Sequence, residues 1–172
     1  EATVALEMLS KAREAFAKSV VLEIEDAQFN MTRGLSSLAD LSGAELKAAT
    51  DGLLTRDFQL FDLTRSLQAD VSELAGLLRE IAQINDKAKL GTARELVQTV
   101  VARIRRTLVA AEQIMPNQAR SRAIQEILSA GEGSSGLVDV RDRDLTTQAA
   151  ITQGLTATDA AAEAVRAEVD TL

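Results

Sequence analysis

The sequence predicts an all-α protein, and three observations carry that expectation. Apolar residues recur at steps of three and four along four long segments. Aromatic residues make up only 2% of the chain, four Phe with no Tyr and no Trp, and there is one proline. Ala, Leu, Glu, Arg and Gln stand in place of the aromatic and β-branched residues and closely spaced turns that mark sheets. With 172 residues, 46% hydrophobic and 26% charged, the chain has the size and composition of one folded domain, not of a disordered segment. We expect residues 1–172 to form a single helical domain.

The first helix is expected from about Ala2 to Asp40. Its apolar stripe is Phe16, Val20, Ile24, Ala27, Met31, Leu35 and Leu38, which keeps one face toward a partner. Gly34 weakens the pattern locally. Ser42-Gly43-Ala44-Glu45 reads as a capping box, so a second helix should run from about Ala44 to Lys87. Its stripe is Leu67, Val71, Leu74, Leu78 and Ile81, continued upstream by Thr64, Phe61 and Phe58. A turn is expected from Asn85 to Gly91, followed by a second capping box at Thr92-Ala93-Arg94-Glu95. The third helix carries Val97, Val100, Ile104, Leu108, Ala111 and Met115. Pro116 then removes a helical hydrogen bond. The pattern resumes through Ile124, Ile127 and Leu128, so a bent or interrupted arm is expected to end near Ala130.

Gly131-Glu132-Gly133-Ser134-Ser135-Gly136 is the strongest loop signal. A last helix should run from about Leu137 to Thr171 through Val140, Leu145, Ala149, Ala162, Val165 and Val169. Four arms of roughly 35 to 45 residues would each span about 50–65 Å. Short turns make neighbours antiparallel. The expected fold is therefore an antiparallel up-down-up-down four-helix bundle with its third helix interrupted near Pro116. Both termini would lie at one end, and the turns near Ser42 and Gly133 at the other. A two-tiered bundle with Pro116 at the tier boundary is the alternative.

Several chemistries are excluded. There is no Cys and no His, which removes disulfides, thiol catalysis, Cys-ligated zinc and the commonest general base. The absence of Cys fixes no compartment. The net charge is -7, the wrong sign for a nucleic-acid binder. No stretch approaches about 18 uninterrupted apolar residues, so no membrane span is expected. No phosphate loop, dinucleotide fingerprint or nucleophile elbow is present, and no enzyme activity or cofactor is expected of this segment. Glu23 and Glu25 read as solvated helix faces. Asp139, Asp142 and Asp144 lack calcium-loop spacing and alternate with Arg141 and Arg143, so no metal site is expected. The chain opens at Glu1 and both ends fall within helical pattern, as in a segment cut from a longer protein.

Three features depart from an ordinary bundle. Leu145 to Thr158 carries no charge over fourteen residues. Such a stretch suits a helix shielded on two sides, in its bundle and at a dimer contact, or a polar ligand pocket. Arginines cluster at Arg103, Arg105 and Arg106, then at Arg120 and Arg122, then at Arg141 and Arg143. They suit salt bridges with acidic neighbours or a fork for a carboxylate. Antiparallel pairing about the expected turns also brings Asn30 with Arg33, Phe58, Arg120 with Arg122, and Thr147 to one level. From these cues a ligand site for a small anion, a polar solute or a partner's acidic group is expected at Asn30, Arg120, Arg122 and Thr147, with Phe58 as an apolar wall.

The stretch Ile127-Leu128-Ser129-Ala130-Gly131-Glu132-Gly133-Ser134-Ser135-Gly136-Leu137-Val138-Asp139-Val140-Arg141-Asp142-Arg143-Asp144-Leu145 resembles part of the periplasmic regions of bacterial sensor histidine kinases. Gly136, Leu137, Arg141, Asp144 and Leu145 sit at the matching places, and Val138 stands where Phe is common. The remaining texture is similar to helical sensor domains of the trimethylamine-N-oxide sensor kinase type and to helical bimodular chemoreceptor domains. The resemblance implies a dimeric, periplasmic signal-sensing domain of an inner-membrane receptor in a two-component system, flanked by two transmembrane helices. Its partners would be a second copy and either a small-molecule ligand or a periplasmic binding protein, and its output a cytoplasmic histidine kinase. A chemoreceptor ligand-binding domain and a non-catalytic scaffold bundle are the alternatives.

Overall fold

A computed structural model describes residues 2–133 and 136–169, with side chains placed for 3–133 and 136–167. Among these residues there are helices and turns and no strand. The expected helix ends at Thr171 and the turn residues Ser134 and Ser135 lie outside the described residues, as does the Val169 side chain.

Helix α1 runs Ala2–Leu38 and buries Leu9, Ala12, Phe16, Val20, Ala27 and Met31 along one stripe. Leu35, expected on that stripe, is exposed; at this level α1 approaches Leu53 through Gly34 instead. Helix α2, Gly43–Gly52, starts at Ser42, whose side chain makes no capping hydrogen bond. It passes through a π-helical stretch, Leu53–Phe58, directly into α3, Gln59–Ile81. The stripe of Thr64, Leu67, Val71, Leu74, Leu78 and Ile81 is buried throughout. The Thr64 hydroxyl has no hydrogen-bond partner. Phe58, expected on the stripe, is exposed. Phe58 lies nine residues, or about two and a half helical turns, before Leu67, which puts it on the opposite face; the buried stripe runs upstream through Leu60 and Leu53 instead.

Helix α4, Lys87–Ile114, is capped by Asp86, whose side chain accepts from the Ala88 amide at 2.7 Å. The expected capping box at Thr92–Glu95 therefore lies inside the helix and starts nothing. Asp86 occupies the cap earlier, where the chain is still extended. Met115 and Asn117 flank Pro116 in extended conformation, as a residue before proline prefers. Asn117 caps helix α5, Gln118–Gly131, by accepting from the Arg120 amide at 3.1 Å.

At Pro116 the chain turns back; it does not continue as one bent arm. Arg105, about two turns before the end of α4, pairs with Glu132, just beyond the end of α5, at 2.6 Å. The two helices therefore run in opposite directions. Helix α5 lies chiefly against α1, α1 also against α3, and α3 against α4. The cluster of Val20, Leu67, Leu74, Leu78, Ile81, Ile104, Ile124, Ile127 and Leu137 is closed to solvent where these helices meet.

Gly133 adopts φ +80, a left-handed geometry that favours glycine. A side chain at Gly136 would collide with the Glu132 backbone at 2.6 Å. Helix α6, Leu137–Val169, then begins beside α4. The Gly133 turn lies against Arg94, Val97 and Gln98, away from the Ser42 end where it was expected. Leu137, Val138, Val140 and Leu145 are buried, while every residue from Thr146 to Ala167 is exposed. Ala149, Ala162 and Val165, expected in the core, are thus outside it. The helix has run past the end of α3 and α4.

Candidate functional site

Two linked features occupy the end of the body where α4 turns into α5. The first is an ionic cluster around Arg120, which is fully buried. Its Nη1 donates to both oxygens of Glu23 at 2.9 Å. Its Nη2 donates to Glu112 Oε1 at 2.7 Å and to the Met115 carbonyl at 2.8 Å. Its Nε donates to Glu112 Oε1 at 3.3 Å. All five guanidinium hydrogens are matched, which burial of an arginine requires.

The carboxylates are held from other directions as well. Glu23 accepts from the Asn117 side-chain amide. Glu112 accepts from the Ser121 hydroxyl at 2.8 Å and the Asn117 backbone amide at 3.1 Å. Burial pushes the Glu112 carboxyl up, but hydrogen bonds from Arg120, Ser121 and the Asn117 amide outweigh it and leave it below the ordinary carboxylate value. Glu23 is thus a buried partner from α1 and not part of a solvated face. Its acidic neighbour Glu25 in the sequence is exposed.

The second feature is a groove of about 640 Å³ between the second half of α1 and the π-helical stretch. Glu23 and Met115 form its border with the ionic cluster, and Ala27, Gly34, Leu53 and Leu60 give it an apolar floor. At Gly34 a side chain would stand 2.4 Å from Leu53, so glycine here permits the close approach of α1 and the π-helical stretch. Along the groove lie Arg33 and Arg56, and with them Asp26 and Asp57. Neither arginine is engaged in an ion pair among the described residues. Two uncommitted guanidiniums beside two carboxylates suit a small ligand with a carboxylate, more so one that also carries an ammonium.

The four residues expected at a site are not gathered. Asn30 lines the groove. Arg120 touches the groove only through Glu23 and Met115, and its donors are already engaged. Arg122 is exposed and donates to Glu126 one turn along α5 at 3.2 Å. Thr147 stands on the exposed part of α6, next to the residues that flank Asn85, Asp86 and Lys87 at the far end of α4. Their expected common level assumed turn centres that the reversal at Pro116 displaces.

Sequence reasoning missed Glu23, Glu112 and Asn117. A Pro-Asn pair followed by Arg, with an acid four residues before the proline, was the available signal. It also missed the clasp at the other end. There Arg141 donates to the Ile84 carbonyl at 2.7 Å and to the Asn85 side chain at 2.6 Å. Asp139 pairs with Arg94 at 2.9 Å. These side chains fasten the start of α6 to the turn between α3 and α4 and to the first half of α4. Among the described residues no group of three or more acidic side chains is gathered to hold a metal ion, and no helix is long and apolar enough to cross a membrane. No family model matches the chain, nor does any curated protein or solved structure.

Proposed function

We propose that the chain is the periplasmic signal-sensing domain of an inner-membrane two-component receptor, whose cytoplasmic part is a histidine kinase. The observation that carries this is the groove. Its two uncommitted arginines line the same groove as Glu23 and Met115, which the buried Arg120 holds. A ligand that reaches along the groove from Arg33 and Arg56 toward Glu23 would meet a cluster that joins α1, the end of α4 and α5. Only a difference in affinity between two packings of those helices would give a signal, and a cluster of directional ionic contacts is suited to two discrete arrangements.

The helical body is read as an up-down-up-down four-helix bundle formed by α1, α3, α4 and α5, with α5 in the place first expected of the last helix. The N-terminus of α1 and the outgoing part of α6 then leave toward one side, as flanking membrane helices require. A second copy of the chain completes the receptor. The test is the coding sequence on either side of this segment, with a reporter fused after residue 172 that is active only outside the cytoplasm. Apolar spans of about 20 residues on both sides and an active reporter are expected. A gene without spans, or an inactive reporter in a correctly expressed fusion, would contradict the proposal.

A further inference from the structure

We infer that the exposed part of α6, residues 146–167, is a self-association surface that pairs in parallel with the same helix of a second copy. This does not rest on the sensor proposal. Most helical stability in proteins comes from packing an apolar face, and this exposed stretch contains Gly154 and several threonines, which lower its own propensity. Ile151, Leu155 and Val165 are 59%, 62% and 61% exposed. With Thr158 and Ala162 they fall at steps of 4, 3, 4 and 3, the repeat of a coiled-coil seam.

The body does not cover that seam. Leu145, Gln148, Ala149, Thr152 and Gln153 are the α6 residues that flank Asn85–Lys87. At about 100° per residue the seam is centred roughly a third of a turn away. The Arg141 and Asp139 contacts fix the start of α6, so the seam is presented at a set angle.

Charge selects the occupant and its direction. The run Leu145–Thr158 has no charge, so burial against a copy of itself strands no ion. In a parallel, in-register pair, Gly154 and Ala161 flank the seam on one side and Thr152, Asp159 and Arg166 on the other. No like charges then face one another across it. In an antiparallel pair overlapping along the whole seam, Asp159 of each copy meets Asp159 of the other, which is unfavourable. A closed two-fold pair is the simplest product.

The chain has no cysteine, so single cysteines report the contact directly. Leu155→Cys, on the seam, should form a disulfide between copies under mild oxidation, since parallel seam positions approach within disulfide reach. Thr156→Cys, on another face, should stay at least tenfold behind. Sedimentation equilibrium of the full chain should give a dimer, and Ile151→Ser/Leu155→Ser should shift it at least tenfold toward monomer with an unchanged helical circular dichroism spectrum. A monomer for the unaltered chain, no crosslink at Leu155→Cys, or equal crosslinking at both cysteines would overturn the inference. None of these outcomes depends on ligand binding or on which side of a membrane the domain lies.

Discussion

Arg120 directs all five guanidinium hydrogens into the protein, to Glu23, Glu112 and the Met115 carbonyl. Removing one partner of such a cluster leaves charge buried without compensation, a loss of about 3–5 kcal/mol. Arg120→Met should cost that much in a denaturant titration, whereas Arg122→Ala, at an exposed pair, should cost less than about 0.5 kcal/mol. Glu112 sets a pH dependence of known sign. Its folded-state pKa lies below the ordinary carboxylate value, so the unfolded chain binds more protons between the two. Its contribution is fully present above the ordinary carboxylate range and is lost as pH falls through the lowered folded value. Glu112→Gln should flatten that acid limb of the stability curve. Thr64→Val should leave stability unchanged or raise it by about 1 kcal/mol, because the Thr64 hydroxyl is buried without a partner. At this scale the apolar stripe of α3 was legible, since spacing alone places Leu74 and Leu78. Glu23 was not, because an acid on a helix is usually solvated and its partner is distant in sequence.

The elements divide by how their ends are secured. Asp86 and Asn117 cap α4 and α5, and Gly133 supplies the left-handed turn before α6. Helix existence was readable from 3-4 periodicity, and the break between α5 and α6 from its glycines. The reversal at Pro116 was not, because a proline break is compatible with a kink and with a hairpin. The choice is made by Asn117 and by Arg120 reaching α1. The π-helical stretch was equally hidden, since Leu53–Phe58 carries no composition that marks a wider turn. The site suffered most from this, for the residue levels depended on where the chain reversed. Because every residue from Thr146 to Ala167 is exposed and only the first two turns of that stretch flank the body, at Asn85–Lys87, a chain ending at Leu145 should keep its stability. At concentrations where the full chain is monomeric, its unfolding free energy should agree within about 0.5 kcal/mol.

Across the whole molecule, the groove lies near the α4–α5 turn and the free part of α6 leaves past the opposite end of α4, a helix of 28 residues or about 42 Å. The ionic cluster at one end and the Arg141 clasp at the other are joined by a closed apolar core, which transmits displacement better than a loose one. The most direct test of the proposed sensing role is thermal melting against a panel of small carboxylates and α-amino acids. The unaltered chain and Arg33→Gln/Arg56→Gln are melted side by side. Without ligand the two should melt alike, because neither arginine is in an ion pair among the described residues. At a concentration near 100 times its dissociation constant, a true ligand should stabilise the unaltered chain by about 2.7 kcal/mol, and the double variant should show almost none of that shift. A panel in which no member moves the transition, or in which the double variant shifts as far as the unaltered chain, would contradict the groove as the sensing site.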